Sequence, residues 1–170
     1  MLRVAALALL LLLALVSVLS IRTLRRLPNT IVYFVASEAD HFRLESVGRL
    51  SRADEGEARL RAALDALIEG PSEAEKDAGL FSSVPSETQI LGLELTEQRL
   101  RVDLSRAVEN GGGSVDQIAR LNQLFYTLSQ PANVDEVELY IEGEAVSVFG
   151  GDGILVPQPF ERSSDELPTW

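Results

Sequence analysis

The longest apolar run of the chain lies near its N-terminal end. Residues 4–21 contain no charged side chain, and their only polar residues are Ser17 and Ser20. A helix of this length extends about 27 Å, which is close to the thickness of the hydrocarbon core of a bilayer. The run therefore predicts a single membrane span. Because it is longer than the core of a typical signal peptide, we favour a retained anchor over a cleaved signal. The anchor residues include Val4, Leu10, Leu13 and Ile21.

The charges on either side of this run leave its orientation open. Arg3 precedes the run, whereas Arg22, Arg25 and Arg26 follow it. The excess of positive charge on the C-terminal side slightly favours a cytoplasmic location for the rest of the chain. A span that begins so close to the N-terminus, however, behaves like a signal sequence, which sends the following domain across the membrane.

After residue 27 the pattern changes to short periodic segments. Alternating or β-branched runs predict strands, and apolar residues repeated every three or four positions predict helices. The predicted segments are strands at 30–35 and 42–50, a helix at 54–69, strands at 89–95 and 99–104, a helix beginning at Ser114, and strands at 137–141 and 145–149. This β-β-α-β-β-α-β-β order predicts a single α+β domain with two helices packed on one face of a sheet, after the N-terminal transmembrane helix.

The two predicted helices each carry an apolar stripe. In the first helix the stripe consists of Leu60, Leu64, Leu67 and Ile68. In the second helix it consists of Val115, Ile118, Leu121, Phe125 and Leu128. Such a stripe requires a sheet or another helix to cover it, which agrees with the layered architecture.

Several residues mark where the elements begin and end. Asp54 and Glu57 have the spacing of a capping box at the start of the first helix. Gly70 and Pro71 end that helix, because glycine suits the position after the last turn and proline cannot continue it. Gly143 predicts the turn of the last hairpin. These boundaries divide the chain into an anchor or uncleaved signal at 1–26, a domain at 27–156 and a flexible tail at 157–170.

The composition excludes several classes of protein. The chain has no cysteine, which excludes a disulfide framework, a thiolate metal site and a lipid-modified cysteine. Four of the fifteen basic side chains precede residue 27, and all 26 acidic ones follow it, so the rest of the chain carries a net charge of −15. Because nucleic-acid binding normally needs a basic surface, we expect no nucleic-acid partner.

Candidate catalytic and metal-binding groups are scarce. His41 is the only histidine, and it lies in a predicted turn, so neither a zinc site nor a Ser-His-Asp triad is indicated. No Asp-rich calcium loop is present. A pair of carboxylates for glycoside hydrolysis is not identifiable from sequence, because their separation depends on the fold. We therefore expect no enzyme activity, no cofactor and no metal, and we assign no ligand-binding residues.

A family resemblance emerges from fragments spread over residues 30–149. The fragments are Val32-Tyr33-Phe34, Leu67-Ile68-Glu69-Gly70-Pro71, Leu80-Phe81-Ser82-Ser83-Val84-Pro85, Val102-Asp103-Leu104-Ser105, Tyr126-Thr127-Leu128-Ser129 and Ile141-Glu142-Gly143. Together and in this order they resemble the GerMN domain family of sporulation and spore-germination proteins. The signature residues within them are Gly70, Pro71, Asp103, Thr127, Leu128 and Gly143.

The resemblance implies an extracytoplasmic, membrane-tethered and non-catalytic interaction module of the bacterial cell envelope. Its partner would be a second copy of the chain or another envelope protein. Because the chain lacks the lipid-modified cysteine of the sporulation lipoproteins, the N-terminal helix would be the membrane anchor. Two alternatives remain, namely a binding domain for cell-wall glycan or a small solute, and a hydrolase with paired acidic residues.

Overall fold

The computed structural model describes residues 28–38, 41–53, 55–130, 134–162 and 167. The predicted anchor, including Val4, Leu10, Leu13 and Ile21, lies outside these ranges. Within them, no helix is both long enough and apolar enough to cross a membrane. The N-terminal membrane span therefore stays a prediction from sequence.

The described part of the chain is a mixed α/β domain. Its strands are β1 (Thr30–Ser37), β2 (Phe42–Arg49), β3 (Leu80–Phe81), β4 (Ile90–Thr96), β5 (Arg99–Leu104), β6 (Glu136–Ile141), β7 (Glu144–Ala145), β8 (Val148–Phe149), β9 (Ile154–Leu155) and β10 (Phe160–Glu161). Its α-helices are α1 (Gly56–Glu69), α2 (Glu73–Asp77) and α3 (Ser114–Leu128), and a 3-10 helix spans Arg106–Glu109.

The strands form two main sheets where a single sheet was predicted. The first sheet has the order β2-β1-β3, with both pairings antiparallel. The second has the order β10-β6-β5-β4, and β7 pairs with the end of β6. Strands β5 and β6 run parallel, and α3 lies in the crossover that a parallel pair requires. The remaining strands, β8 and β9, form a separate hairpin.

One hydrophobic core joins the two sheets. Helices α1 and α3 contact each other, and both contact β1. Val32 and Phe34 of β1 lie in this core together with the interior residues of β5 and β6. The predicted stripe of α1 is confirmed, because Leu60, Leu64 and Leu67 are all buried. A smaller apolar cluster is formed by Tyr33, Val35, Leu44 and Ala119.

The buried face of α3 differs from the predicted stripe. Val115 and Ile118 are 51% and 37% exposed, whereas Gln117, Arg120 and Gln123 are buried. The prediction was wrong at these positions because hydrophobic periodicity does not recognise polar side chains such as Arg120 and Gln123, which bind backbone groups inside the fold. The other three residues of the stripe are buried as predicted, namely Leu121, Phe125 and Leu128.

The ends of α1 match the sequence pattern only in part. The N-cap residue is Glu55 and makes no side-chain cap, and the carboxylate of Glu57 accepts a hydrogen bond from Leu95 of β4. The predicted partner Asp54 lies outside the described residues. At the other end Gly70 has a φ of 88°, and its N–H donates to Ala66 O at 3.2 Å. A left-handed φ of this size favours glycine, which explains why the helix ends there.

The segment after Pro157 is more ordered than the flexible tail that was predicted. Strand β10 pairs with β6, with Phe160 opposite Val137. The Phe160 ring stacks on Phe125 with 4.4 Å between ring centroids. The sequence pattern did not predict this contact, because the segment contains few apolar residues. The contact depends on one aromatic residue, Phe160, and on the side chain of Gln158. Residues 163–166 and 168–170 lie outside the description.

Candidate interaction surface

Helix α3 takes the place of a strand beside β1. Odd-numbered residues of β1 direct their backbone groups away from β2, and β3 reaches only Val35 and Ala36. At Tyr33 the backbone N–H donates to Thr127 Oγ1 at 3.1 Å, and the carbonyl accepts from Gln123 Nε2 at 3.0 Å. Two side chains of one helix thus satisfy the donor and the acceptor that a neighbouring strand would otherwise bind.

Gln158 acts in the same way beside β6. Its amide oxygen accepts from Leu139 N–H at 3.1 Å, and its Nε2 donates to the carbonyls of Leu139 and Val146 at 3.0 and 2.7 Å. A primary amide has the same donor and acceptor as a peptide group, so it can replace one residue of a strand. The backbone of β6 between β7 and β10 is therefore paired.

The outer edge of β4 is partly closed by α1. Glu57 Oε1 accepts the N–H of Leu95 at 2.9 Å, and α1 contacts β4. A carboxylate held against an edge N–H removes a donor that an incoming strand would need. At the turn after β6, Asp103 Oδ1 similarly accepts the N–H of Gly143 at 3.0 Å.

Strand β2 lies at the outer edge of the first sheet, and no further strand pairs with it among the described residues. Because antiparallel pairs alternate and Tyr33 directs its N–H away from β2, its partner Ser46 directs its backbone groups outward, as does Leu44 opposite Val35. Ser46 is exposed, whereas Leu44 is only 1% exposed, so the outward groups of Ser46 are accessible and those of Leu44 are not. This outward edge of β2, from Phe42 to Gly48, is called the β2 edge below.

The side chains of β2 carry both charge and apolar surface. Arg43 forms ion pairs with Glu38, at 2.5 Å, and with Glu45. These two carboxylates raise the pKa of Arg43, with the hydrogen bond that Arg43 donates to Glu38 as the larger cause. On the opposite face of the strand, Phe42 and Leu44 belong to the smaller apolar cluster. The β2 edge therefore offers opposite charges on one face, while its apolar side chains pack into the domain.

Ion pairing holds the C-terminal end of β2 in place. The Arg49 guanidinium donates to both carboxylate oxygens of Glu75, at 2.7 and 2.6 Å, and lies over the Phe34 ring, 5.3 Å from its centroid. The hydrogen bond from Arg49 lowers the pKa of Glu75 to about 2. Hydrogen bonds to the backbone and side chain of Ser72 lower this pKa further, whereas desolvation raises it. A bidentate pair restrains both partners, so the strand keeps its position.

Arg120 joins the loops beneath this sheet. Its guanidinium donates to the carbonyls of Ser83 at 2.7 Å, Val108 at 2.7 Å and Gly111 at 3.2 Å. Burial lowers the pKa of Arg120, while Asp116 and Glu109 counteract that shift by charge attraction. Sequence analysis missed the roles of Arg120, Gln123 and Thr127, although their positions at 120, 123 and 127 place them along one side of a helix.

The structure brings some of the predicted signature residues into contact. Asp103 and Gly143 form the hydrogen bond described above, and Gly143 has a φ of 83° in the tight turn after β6. Thr127 binds β1, and Leu128 is fully buried beside it on α3. Gly70 ends α1, while Pro71 is buried immediately after it. All of these roles are structural, and they stabilise the sheets beside the β2 edge.

Few candidate chemical groups come together in the described ranges. Nε2 of His41 lies 3.2 Å from Glu38, and no cluster of three potential metal ligands occurs in those ranges. A cleft at the β4–β5 turn is open and polar, and it is lined by Thr96, Glu97, Gln98, Arg99, Asp135 and Glu136. On β6, the Arg101 guanidinium lies over the ring of Tyr140, 3.9 Å from its centroid.

Comparisons with solved structures identify this architecture in known proteins. The tandem GerMN domains of the sporulation protein GerM from Bacillus subtilis match with a TM-score of 0.63 and 20% identity, over 78% of this chain and 44% of that one. The first GerMN domain of the same protein matches with a TM-score of 0.62 and 17% identity, over 79% and 98% of the two chains. This chain therefore spans less than half of the tandem protein.

A candidate lipoprotein from Clostridium perfringens has the same fold, with a TM-score of 0.55 and 20% identity over 78% of this chain and 85% of that one. At these identities the likeness establishes the fold alone. No curated protein matches the sequence. The family model described as "Germane: Sporulation and spore germination" matches residues 31–147, which is more than half of the chain. The protein therefore belongs to this family of GerMN domains.

Proposed function

We propose that this protein is a membrane-anchored, extracytoplasmic interaction module of the bacterial cell envelope, without catalytic activity. The apolar run at 4–21 supports the anchor, and membership of a sporulation and spore-germination family supports the location. The single observation that carries the interaction role is the β2 edge, where Ser46 and Gly48 are exposed and no further strand pairs among the described residues.

The chemistry of the β2 edge specifies how it binds. An extended segment that adds to an exposed strand gains main-chain hydrogen bonds, and alternate side chains contribute specificity. Here the N–H and C=O groups of the exposed Ser46 supply those bonds. Arg43 and Glu45 project to one face of the strand, so a partner segment that carries charges of both signs on that face fits best.

The location is tested by protease treatment of intact spheroplasts that contain the full chain. We expect the protease to digest the domain in unlysed cells. An immunoblot against the C-terminal residues detects this digestion. A domain that stays protected until the cells are lysed would contradict the proposed location, because the arginines after the span would then have kept it in the cytoplasm.

The interaction role is tested by crosslinking from the β2 edge in cells. The chain has no cysteine, so Ser46→Cys introduces a unique thiol at an exposed position of that edge, and Ser86→Cys provides a control at an exposed loop position. With a short thiol-reactive photocrosslinker, we expect Ser46→Cys to capture an envelope protein or a second copy, and Ser86→Cys to capture neither. Equal capture from both positions, or none from Ser46→Cys, would contradict the role of the β2 edge.

A further inference from the structure

We propose that the end of the domain at which the chain enters it rests on the membrane surface and binds anionic lipid headgroups. This surface consists of the exposed residues Pro28, Ile31, Leu50 and Arg52, and it is called the N-terminal patch below. The inference rests on the membrane anchor of the proposed function and adds a second contact with the bilayer. It follows from how the first described residues are fixed, from the apolar side chains beside them and from the local charge.

The first described residues are held against the end of β2. Asn29 Nδ2 donates to the carbonyls of Ser51 and Ala53 at 3.1 and 3.3 Å, and Asn29 Oδ1 accepts the N–H of Ser51 at 2.8 Å. The backbone N–H of Asn29 donates to Arg49 O at 3.2 Å. Because a single residue makes all of these bonds, the point at which the chain enters the domain is fixed.

Pro28 lies directly over Gly48 of β2. A Cβ atom at Gly48 would be 2.7 Å from Pro28 Cβ and 2.9 Å from Pro28 Cγ, so an alanine there would force the proline ring to move. The glycine thus permits the close approach of the chain that precedes β1. Pro28 is itself exposed, so the chain enters the domain along an accessible face of the first sheet.

Two exposed apolar side chains lie beside Pro28 on this face. Ile31 pairs with Gly48, so both residues face the side of the sheet that Pro28 covers. Leu50 comes two residues after Gly48, and strand alternation places it on the same side. Ile31 and Leu50 are 40% and 59% exposed. Together with Pro28 they form an apolar surface at the point where the chain enters the domain.

The predicted membrane span ends a short distance before this surface. Residues 22–27 separate Ile21 from Pro28. An extended chain advances at most about 3.5 Å per residue, so Pro28 lies within about 25 Å of the end of the span. The N-terminal patch surrounds Pro28, and the anchor therefore keeps it close to the bilayer surface.

The charge near the N-terminal patch is opposite in sign to that of the whole chain. Residues 22–37 and 46–53 contain five arginines and no acidic residue, although the net charge of the chain is −11. Three of the five arginines precede Pro28, Arg49 is paired within the domain, and Arg52 is exposed. Anionic headgroups attract arginines beside a membrane and repel the acidic remainder of the domain. An apolar surface flanked by arginines therefore fits an anionic lipid surface.

Lipid contact is tested with an environment-sensitive fluorophore on single cysteines of the full chain. The chain has no cysteine, so Leu50→Cys labels the N-terminal patch, and Leu155→Cys is the matched control at another exposed leucine. Each labelled chain is reconstituted into vesicles of phosphatidylcholine, alone or mixed with phosphatidylglycerol. With phosphatidylglycerol, we expect blue-shifted emission from Leu50→Cys only, and high salt should reduce the shift. Emission typical of water from both positions overturns the inference.

The contribution of charge is tested in the Leu50→Cys background. Arg52→Gln should lower the ratio of lipid-bound to free domain about fivefold, because it removes one charge that the headgroups attract. The emission of the label measures this ratio. Arg61→Gln is the matched control, since Arg61 is exposed on α1, away from the N-terminal patch in sequence. Equal effects of the two substitutions would contradict binding through the charge of the patch.

Other occupants of the N-terminal patch give different results. A blue shift that is equal in both kinds of vesicle and insensitive to salt would mean that residues 22–27 cover the patch. A shift that grows with the ratio of protein to lipid would mean that a second copy covers it. Either result overturns lipid binding at the patch.

Flotation of the vesicles on a density gradient tests the anchor separately. Chains that float but show emission typical of water at Leu50→Cys overturn this inference alone, and the proposed function stands. Chains that do not float overturn the anchor as well, and with it the membrane-anchored role.

Discussion

Gln123 shows how one buried side chain joins segments that strand pairing leaves apart. Its Nε2 donates to Tyr33 O in the first sheet, and its Oε1 accepts the N–H of Ser83, at 2.7 Å, in the loop after β3. The side chain is fully buried, so water cannot replace these bonds. A sequence pattern presents Gln123 as an ordinary polar helix residue, because its partners are backbone groups 40 and 90 residues away along the chain.

Replacing Gln123 with leucine should therefore destabilise the domain strongly. The Q123L variant leaves a buried carbonyl at Tyr33 and a backbone N–H at Ser83 unpaired, and each unpaired group costs about 1–3 kcal/mol. We expect the free energy of unfolding to fall by about 3 kcal/mol in urea titrations. Q98L is the control, because Gln98 is exposed in the β4–β5 turn and should change that value by about 0.5 kcal/mol or less. An equal loss in both variants would contradict the assigned role.

At the scale of elements, the short helix α2 links β2 to the rest of the domain. It begins with a capping box formed by Ser72 and Glu75, and the elements predicted from sequence did not include this helix. Glu75 has two roles, since it caps the helix and receives both nitrogens of Arg49. The pairing of Glu75 with Arg49 is a tertiary contact, so local periodicity could not predict it.

This contact predicts a dependence of stability on pH. The pKa of Glu75 is lowered from 4.5 in the unfolded chain to about 2 in the folded one, so its ionised form stabilises the fold fully above about pH 5. As pH falls from about 5 to 2, that contribution should disappear, and it amounts to about 3 kcal/mol. In urea unfolding at a series of pH values, the free energy of unfolding of E75Q should lack this part of the decrease between about pH 5 and 2.

The control for this measurement is E73Q on the same helix. Glu73 pairs with Lys76, which lowers its pKa, but its side chain is almost fully exposed. Exposed pairs contribute little, so the pH profile of E73Q should follow that of the unchanged chain. If E75Q also follows that profile, the Arg49–Glu75 pair does not stabilise the fold.

Elements with local determinants were predictable, and features of tertiary structure were not. The β4–β5 hairpin and the Glu142–Gly143 turn follow from alternation and turn residues that lie close together in sequence. The position of β2 at the edge of its sheet could not be predicted, because a strand is identified as an edge only when its neighbours are known. The division into two sheets depends on Thr127 and Gln123 binding Tyr33, which is also a contact between distant segments.

At the scale of the whole molecule, the last described segment connects the two sheets. Gln158 and Phe160 bind β6 of the second sheet, and Phe160 stacks on Phe125 of α3. Further along, Leu167 packs against the smaller apolar cluster around β1. The segment thus contacts the second sheet, then α3, then the first sheet. The domain boundary predicted at residue 156 excludes this segment from the fold.

Two truncations test whether the fold ends at residue 156. A chain that ends at Val156 loses the bonds of Gln158 to Leu139 and Val146 together with the Phe160 stack, whereas a chain that ends at Arg162 keeps them. We expect the shorter chain to be less stable than the longer one by about 3 kcal/mol in urea unfolding. Phe160→Ala in the full chain should account for about half of that loss, because the half-buried ring carries the apolar part of the contact. Equal stability of the two truncated chains would show instead that residues 157–162 add no stability and that the folded domain is complete at Val156.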